Sequence, residues 1–272
     1  MMKVLGIGDN VVDKYVHLKT MYPGGNALNF SVFAQKKGVE SAFIGTFGND
    51  KEAEYVESVL KELQIDISRC RHATGENGCA RVTLENGDRV FLGSNDGGVT
   101  RENLLKLTEE DKVYIKEFAV IHTGLYSHTV HLLPEIKELG RPLSFDFSDD
   151  FTQADIDSYI SYIDFAFFSC SHMSDEETHT FIKSNFKKKG QILLATRGSE
   201  RTIAYDGTQF YYQNPEYVEV KDTMGAGDSF ITAFLLHYLK DGNIMSSMKE
   251  AASFAANSCL VEGSFGYGIV YE

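Results

Sequence analysis

With 272 residues, 43% of them apolar, the chain can bury a sizeable core, and its length allows one large α/β domain or two small ones. A formal net charge of −13 argues against nucleic acid, whose binders carry a basic face, and a polyanionic nucleotide would have to be held by local devices. Four scattered cysteines, Cys70, Cys79, Cys170 and Cys259, form no Cys-x-x-Cys pair and read as free thiols of a reducing compartment. No run approaches the ~18 apolar residues of a membrane span, and Asp9 and Asp13 interrupt any signal-peptide core. The expectation is a soluble, cytoplasmic protein with neither a membrane nor a nucleic-acid partner.

Residues 3–8 form a short apolar run that predicts a buried first strand, ending at Gly8-Asp9-Asn10 with Asp13 beyond. Gly6-x-Gly8 resembles the start of a dinucleotide fingerprint, but Val11 stands where the third glycine belongs, which weighs against a nicotinamide oxidoreductase. Asp9 and Asp13 are equally readable as turn residues after a strand. Residues 11–18 suit a partly exposed strand. Tyr22-Pro23-Gly24-Gly25-Asn26-Ala27-Leu28-Asn29 reads as a turn opening a helix to about residue 37, and Gly25 and Asn29 then lie one turn apart. A strand is expected over 40–48 and an amphipathic helix over 50–63. From 79 to 91 apolar and polar residues alternate about Asn86-Gly87, a type I′ hairpin signal. Buried strands then alternate with helices: strands over 119–122, 143–147, 164–169 and 192–196, helices over 131–139, 155–160 and 175–188. Such alternation predicts an α/β fold with a mostly parallel sheet and helices on both faces. A second hairpin is expected over 201–213 and a last helix over 244–261.

The chemistry converges on Val220-Lys221-Asp222-Thr223-Met224-Gly225-Ala226-Gly227-Asp228-Ser229-Phe230. An extended lead-in enters a Gly-Ala-Gly turn, and residues 229–239 are apolar nearly all round, as a buried helix is. Its N-terminus aims free N–H groups and the positive end of its dipole over the glycines, an anion-binding arrangement. Asp228 in the first turn can be a helix cap. Asp222, however, already stands ready for that task, and a second carboxylate beside an anion hole repels phosphate unless it has work to do there. Taking a proton from an attacking hydroxyl is such work, and the whole reads as phosphoryl transfer.

Asp222-Thr223-Met224-Gly225-Ala226-Gly227-Asp228 resembles the D-T-x-G-A-G-D signature of the ribokinase-like (PfkB) carbohydrate kinases, and Gly24-Gly25-x-x-x-Asn29 is similar to that family's sugar motif. The resemblance implies a ribokinase-like three-layer fold: one domain over 1–272, with a small β-sheet lid drawn from about 11–18 and 79–91. It implies ATP and Mg²⁺ as cofactors, Asp228 as catalytic base, and Gly225, Ala226, Gly227 and Asp228 as the anion hole. Asp13, Gly25 and Asn29 would bind the sugar, and two copies could pair through the lid. Thr196 and Gly198 match a nucleotide-binding T-x-G turn, and Asn257 lies about where the family meets adenine.

One departure concerns the metal. The family's N-x-x-E motif has no asparagine here, since 169–176 reads Ser-Cys-Ser-His-Met-Ser-Asp-Glu. Asp175 or Glu176 is left to supply the acid. Within the family, the stretches around Asp9, His122, His128 and Asp146 are most similar to members that phosphorylate fructoselysine, a sugar bearing a secondary ammonium. Asp9, with Asp13 and Asp146 or Asp149, would suit such a cation, and Arg89 or a histidine would receive the substrate carboxylate. Fructokinase or another sugar or nucleoside kinase is the alternative. A non-catalytic sugar sensor would be expected to lose the base, yet Asp228 is present.

Overall fold

In the strands Phe165–Ser169 and Ile192–Arg197 the first four residues of each meet apolar surroundings, but successive residues meet different ones. Phe165, Phe167, Ile192 and Leu194 join one buried cluster, whereas Ala166, Phe168, Leu193 and Ala195 join another. A strand's side chains alternate between faces, so a sheet whose faces are both apolar has to be covered on both sides. Helices cover both sides of this one. The structure, a computed structural model, describes residues 2–85 and 88–271. The turn expected at Asn86-Gly87 and the Arg89 side chain lie outside the described residues.

The chain begins with β1 (Lys3–Gly8), β2 (Val11–Tyr15), β3 (Thr20–Gly24), α1 (Asn26–Lys36), β4 (Glu40–Phe47) and α2 (Lys51–Glu62). There follow β5 (Arg71–His72), β6 (Gly78–Glu85), β7 (Asp88–Ser94), α3 (Val99–Glu102), α4 (Glu109–Ile115) and β8 (Val120–Gly124). Next come α5 (Leu133–Glu138), β9 (Leu143–Asp146), α6 (Gln153–Tyr159), β10 (Phe165–Ser169), α7 (Asp175–Asn185) and β11 (Ile192–Arg197). The last elements are β12 (Glu200–Tyr205), β13 (Phe210–Gln213), α8 (Ala226–Asp241), α9 (Ile244–Ser258) and β14 (Ile269–Val270).

Among the described residues nine strands form the main sheet, in the order β13-β12-β11-β10-β9-β8-β1-β4-β5. It is parallel from β5 to β11, and β12 and β13 close one edge antiparallel. Residues of α1, α8 and α9 share the buried cluster on one face, and residues of α4, α5, α6 and α7 share that on the other. The C-terminal ends of β1, β8, β9, β10 and β11 therefore open along one rim, where open α/β sheets bind their ligands. Ribokinase-like architecture is thus present, with strands and helices within a few residues of their expected bounds.

A second sheet, β14-β3-β2-β6-β7, stands over that rim. Its β3 corrects the sequence expectation of a turn at Tyr22-Pro23-Gly24, a stretch that is strand. Proline lacks an N–H and belongs where no ladder bond is required. Pro23 meets that condition: it pairs with Val12 on one side, while β14 reaches only Thr20 and Met21 on the other. The expected strand over 11–18 is also shorter, turning after Tyr15 into a tight loop with Lys19 at φ 51. The short elements α3, α4, β5 and β14 were not anticipated.

Candidate active site

Two helices begin beside each other at the rim. At the start of α1, Gly25 (φ 115) offers no side-chain cap, and the task passes to Asp9 at the end of β1. The Asp9 carboxylate accepts from the backbone N–H of Asn26 (2.6 Å) and of Ala27 (3.2 Å), and from the Ser127 hydroxyl. At the start of α8, Gly225 takes the left-handed conformation (φ 70) with its Cα packed against Ser264, where any Cβ would stand 2.7 Å from that residue's Cβ. Only glycine meets both conditions. Gly227 is different, because its backbone is helical and nothing stands within 4 Å of where a Cβ would be.

Asp228 is gripped from α1. Its Oδ1 accepts from Asn26 Nδ2 at 2.8 Å and its Oδ2 from Asn29 Nδ2 at 2.6 Å, while Asn29 also donates to Ser264. The same Asn26 nitrogen donates to Asp146 Oδ2 at 2.9 Å. Withdrawal from bulk water raises the Asp228 carboxyl to about 6 against the pull of the two asparagines, with the Asp9 charge adding to the rise. Withdrawal from water, then the Asp228 charge, raises Asp146 to about 7. Such values place both groups near the working range of a general base.

Asp228 borders a cavity of about 210 Å³ together with Asp13, Gly25, Asn26, Asn29, Asp146 and Gly225. Three carboxylates and no lysine, arginine or histidine are among its described lining residues. Asn29 lines it too, and its side-chain oxygen is buried with no hydrogen-bond partner among the described residues. A cleft of about 1250 Å³ adjoins it, sharing Val11, Phe91, Tyr126 and Ser148. Ala226, Gly227, Thr196 and Gly198 line this larger space. The first turn of α8 therefore stands where the two meet, with Asp228 facing the smaller and Gly227 the larger.

The structure brings Asp13, Gly25, Asn29, Gly225, Gly227 and Asp228 together with the Thr196–Gly198 turn across the cleft, and it moves four expectations. Asp9 borders the cleft but spends its carboxylate oxygens on the first amides of α1 and on Ser127, rather than standing as a free carboxylate. Ala226 donates its amide to Thr223 O (3.2 Å), which removes it from the expected ring of anion donors. Asn257 is exposed and turns its amide back to Ser253 O at 2.9 Å, while Ala252, Ala255 and Ala256 of the same helix line the cleft. Asp175 is held by both Arg197 and Arg201, and neither it nor Glu176 borders either space. Among the described residues no three His, Cys, Asp or Glu side chains converge on a metal position.

Asn26 was missed. Its signal lay in plain view inside the Gly24-to-Asn29 motif, one residue past the glycine pair at the first position of the helix. Asp222 also proves more than a turn residue. It accepts from Met224 N (2.9 Å), from Gly263 N (2.9 Å) and from the Tyr15 hydroxyl of the second sheet (2.6 Å).

Residues 2–265 match the model of the pfkB family carbohydrate kinases. The chain belongs to that family. It is 40% identical over 272 residues to the fructosamine kinase FrlD of Bacillus subtilis, covering all of this chain and 95% of that one. It is 32% identical over 265 residues to the fructoselysine 6-kinase of Escherichia coli, covering 97% and 100%. Among solved structures, the ribokinase of Arabidopsis thaliana complexed with ribose and ATP superposes with a TM-score of 0.81 at 16% identity, over 97% of this chain and 94% of that one. The fructokinase of Xylella fastidiosa with bound ATP superposes at 0.79 and 18%, with the same coverage. Family membership makes this chain a sugar kinase.

Proposed function

We propose that the chain transfers the γ-phosphoryl group of ATP to the primary 6-hydroxyl of fructoselysine. The observation that carries this reading is the seat of α8 between two spaces: a carboxylate faces a sugar-sized cavity and a bare helix turn faces a nucleotide-sized cleft. Asp228, held by Asn26 and Asn29, takes the proton from the hydroxyl as it attacks. The amides of Gly227 and Asp228, with the helix dipole behind them, balance the charge that develops on the transferred group. Asp13, Gly25 and Asn29 orient the sugar, and Thr196 and Gly198 border the nucleotide. The residues present fit a Mg²⁺ held chiefly by phosphates and water, as that ion commonly is, rather than by a protein cage; when bound it would neutralise phosphate charge.

The 40% and 32% identities to fructosamine and fructoselysine kinases support the substrate. So does the smaller cavity, whose described lining carries three acids and no lysine, arginine or histidine, a composition that suits an ammonium better than a neutral sugar. The second sheet would act as a lid within a single 1–272 domain, and the exposed Phe91 and Leu92 on its β7 edge favour pairing of two copies there. No helix is long and apolar enough to cross a membrane among the described residues, which agrees with a cytoplasmic enzyme.

The test measures ADP release with fructoselysine, fructose, ribose and aminoimidazole riboside, using wild type and Asp228→Asn. Wild type should give its highest kcat/KM with fructoselysine, and Asp228→Asn should lower kcat at least ~10²-fold with ATP binding retained. A preference for fructose rejects the substrate; near-normal turnover in folded Asp228→Asn rejects the base.

A further inference from the structure

Asn26 holds the proposed base through one nitrogen, and something must hold Asn26. Its other amide atom, Oδ1, lies 3.1 Å from His122 Nε2 on β8. On the far side of the imidazole, Nδ1 lies 2.9 Å from the Ser144 hydroxyl on β9. The ring is fully buried and packs against Phe30 of α1 at a centroid distance of 4.7 Å.

Donor and acceptor roles along this line follow from its far end. Two carboxylates, Asp146 and Asp228, meet one side of the Asn26 amide, and only the NH₂ group can donate to both. The oxygen therefore faces His122, which has to present Nε2–H. Nδ1 is then the acceptor, and Ser144 donates to it. Burial keeps the ring neutral, with its pKa lowered to about 3, so this tautomer persists through the physiological range.

We infer that His122, oriented by Ser144, is a positioning residue for the phosphoryl transfer: it locks the Asn26 amide so that its NH₂ holds the Asp228 carboxylate in place. This rests on the reading of Asp228 as the base. Without the His122 donor, the Asn26 oxygen is left buried and unpaired, and the amide is free to turn away from the carboxylates. Asp228 then keeps the Asn29 bond, but loses a donor that favours its charged form and still faces the charges of Asp9 and Asp146. Asp13 borders the smaller space, and Asp9, Asp96, Asp149, Glu216 and His128 border the cleft; among the described lining residues there is no lysine or arginine to replace the lost donor.

The experiment compares His122→Phe, which keeps a ring against Phe30 but deletes both nitrogens, with His122→Gln, whose amide can restore the donor. The readout is kcat/KM for fructoselysine from pH 5 to 9, with Asp228→Asn as control. His122→Phe should lose about tenfold at the pH optimum, with the acidic limb moved up by at least about half a pH unit, and His122→Gln should recover most of both. Ser144→Ala, in case His122→Phe does not fold, should move the limb in the same direction by less. An unmoved limb in folded His122→Phe or in Ser144→Ala, even with a lower Tm, overturns the proposal and leaves His122 as packing. If Asp228→Asn remains active, the base assignment fails instead, whatever the His122 variants do.

Discussion

The N-termini of α1 and α8 present the same physics with opposite outcomes. Each follows a glycine of positive φ with no side chain to give, and each sends its first amides and its positive dipole end toward the same junction. At α1 the chain answers itself: Asp9 reaches across from β1 and fills the amides of Asn26 and Ala27. At α8 the acid of the first turn faces away, into the smaller cavity, and the glycine beside it opens on the cleft. One helix start is finished by folding and is part of the scaffold. The other opens on the cleft and, in the function proposed above, is left for an anion from outside.

The sharpest way to break this comparison is to fill the open end. Gly227→Val meets no dihedral objection, because the backbone there is helical and no atom stands within 4 Å of its Cβ. It should fold with a Tm within a few degrees of wild type and lose at least ~10²-fold in kcat/KM for ATP, the scale of a lost anion-stabilising group. A folded variant with wild-type kinetics would place the phosphate elsewhere.

Emptying the closed end should do the reverse. Asp9→Asn weakens a cap worth about 1–2 kcal/mol, so chemical denaturation should show that loss. Because Asn26 sits on this cap, kcat/KM should drop by a similar factor for fructoselysine and for fructose. A loss several-fold larger on fructoselysine would return Asp9 to the amine-binding role that the sequence suggested.

The smallest effect concerns pH. Asp146 and Asp228 are raised to about 7 and about 6, so the folded protein binds their protons more tightly than the unfolded chain does. Their contribution to stability is therefore full at low pH and is lost as pH rises through that range. His122, lowered to about 3, acts oppositely and costs stability as pH falls below the ordinary histidine value near 6.5. Carboxylates held below their usual range, such as Asp164 and Asp206, matter only below about pH 4. The two carboxylates lose stability from about pH 4 upward while the one histidine regains it. The free enzyme should therefore show its Tm maximum near about pH 4 to 4.5, below the pH at which Asp228 is fully charged and kcat/KM for the sugar levels off, and decline toward about pH 7. A Tm still climbing up to pH 8 would mean that the two carboxylates are well satisfied as anions.

Much of this was legible from the chain. Continuous apolar runs such as 164–169 announce strands buried on both faces, and Asp222-to-Asp228 is specific enough to name a chemistry. What escaped was whatever depends on a partner far away in sequence. Pro23 can lie in a strand only because β14, almost 250 residues later, stops short of it. Asp9 looks like a free carboxylate until α1 is laid across its oxygens, and Asp175 looks like a metal acid until Arg197 and Arg201 take it. Asn26 was written beside a glycine pair, yet its importance comes from Asp146, Asp228 and His122, on three other elements.

Asp222 joins the Tyr15 hydroxyl of the second sheet to the Met224 and Gly263 amides flanking the glycine turn. The resting height of that sheet above the rim and the shape of the glycine turn at the start of α8 are therefore not independent variables. A relative that reshapes the sheet to admit a bulkier sugar inherits a changed turn unless Tyr15 and Asp222 are re-fitted together. In the proposed kinase, acceptor range and phosphate handling are thus tied together by one buried carboxylate.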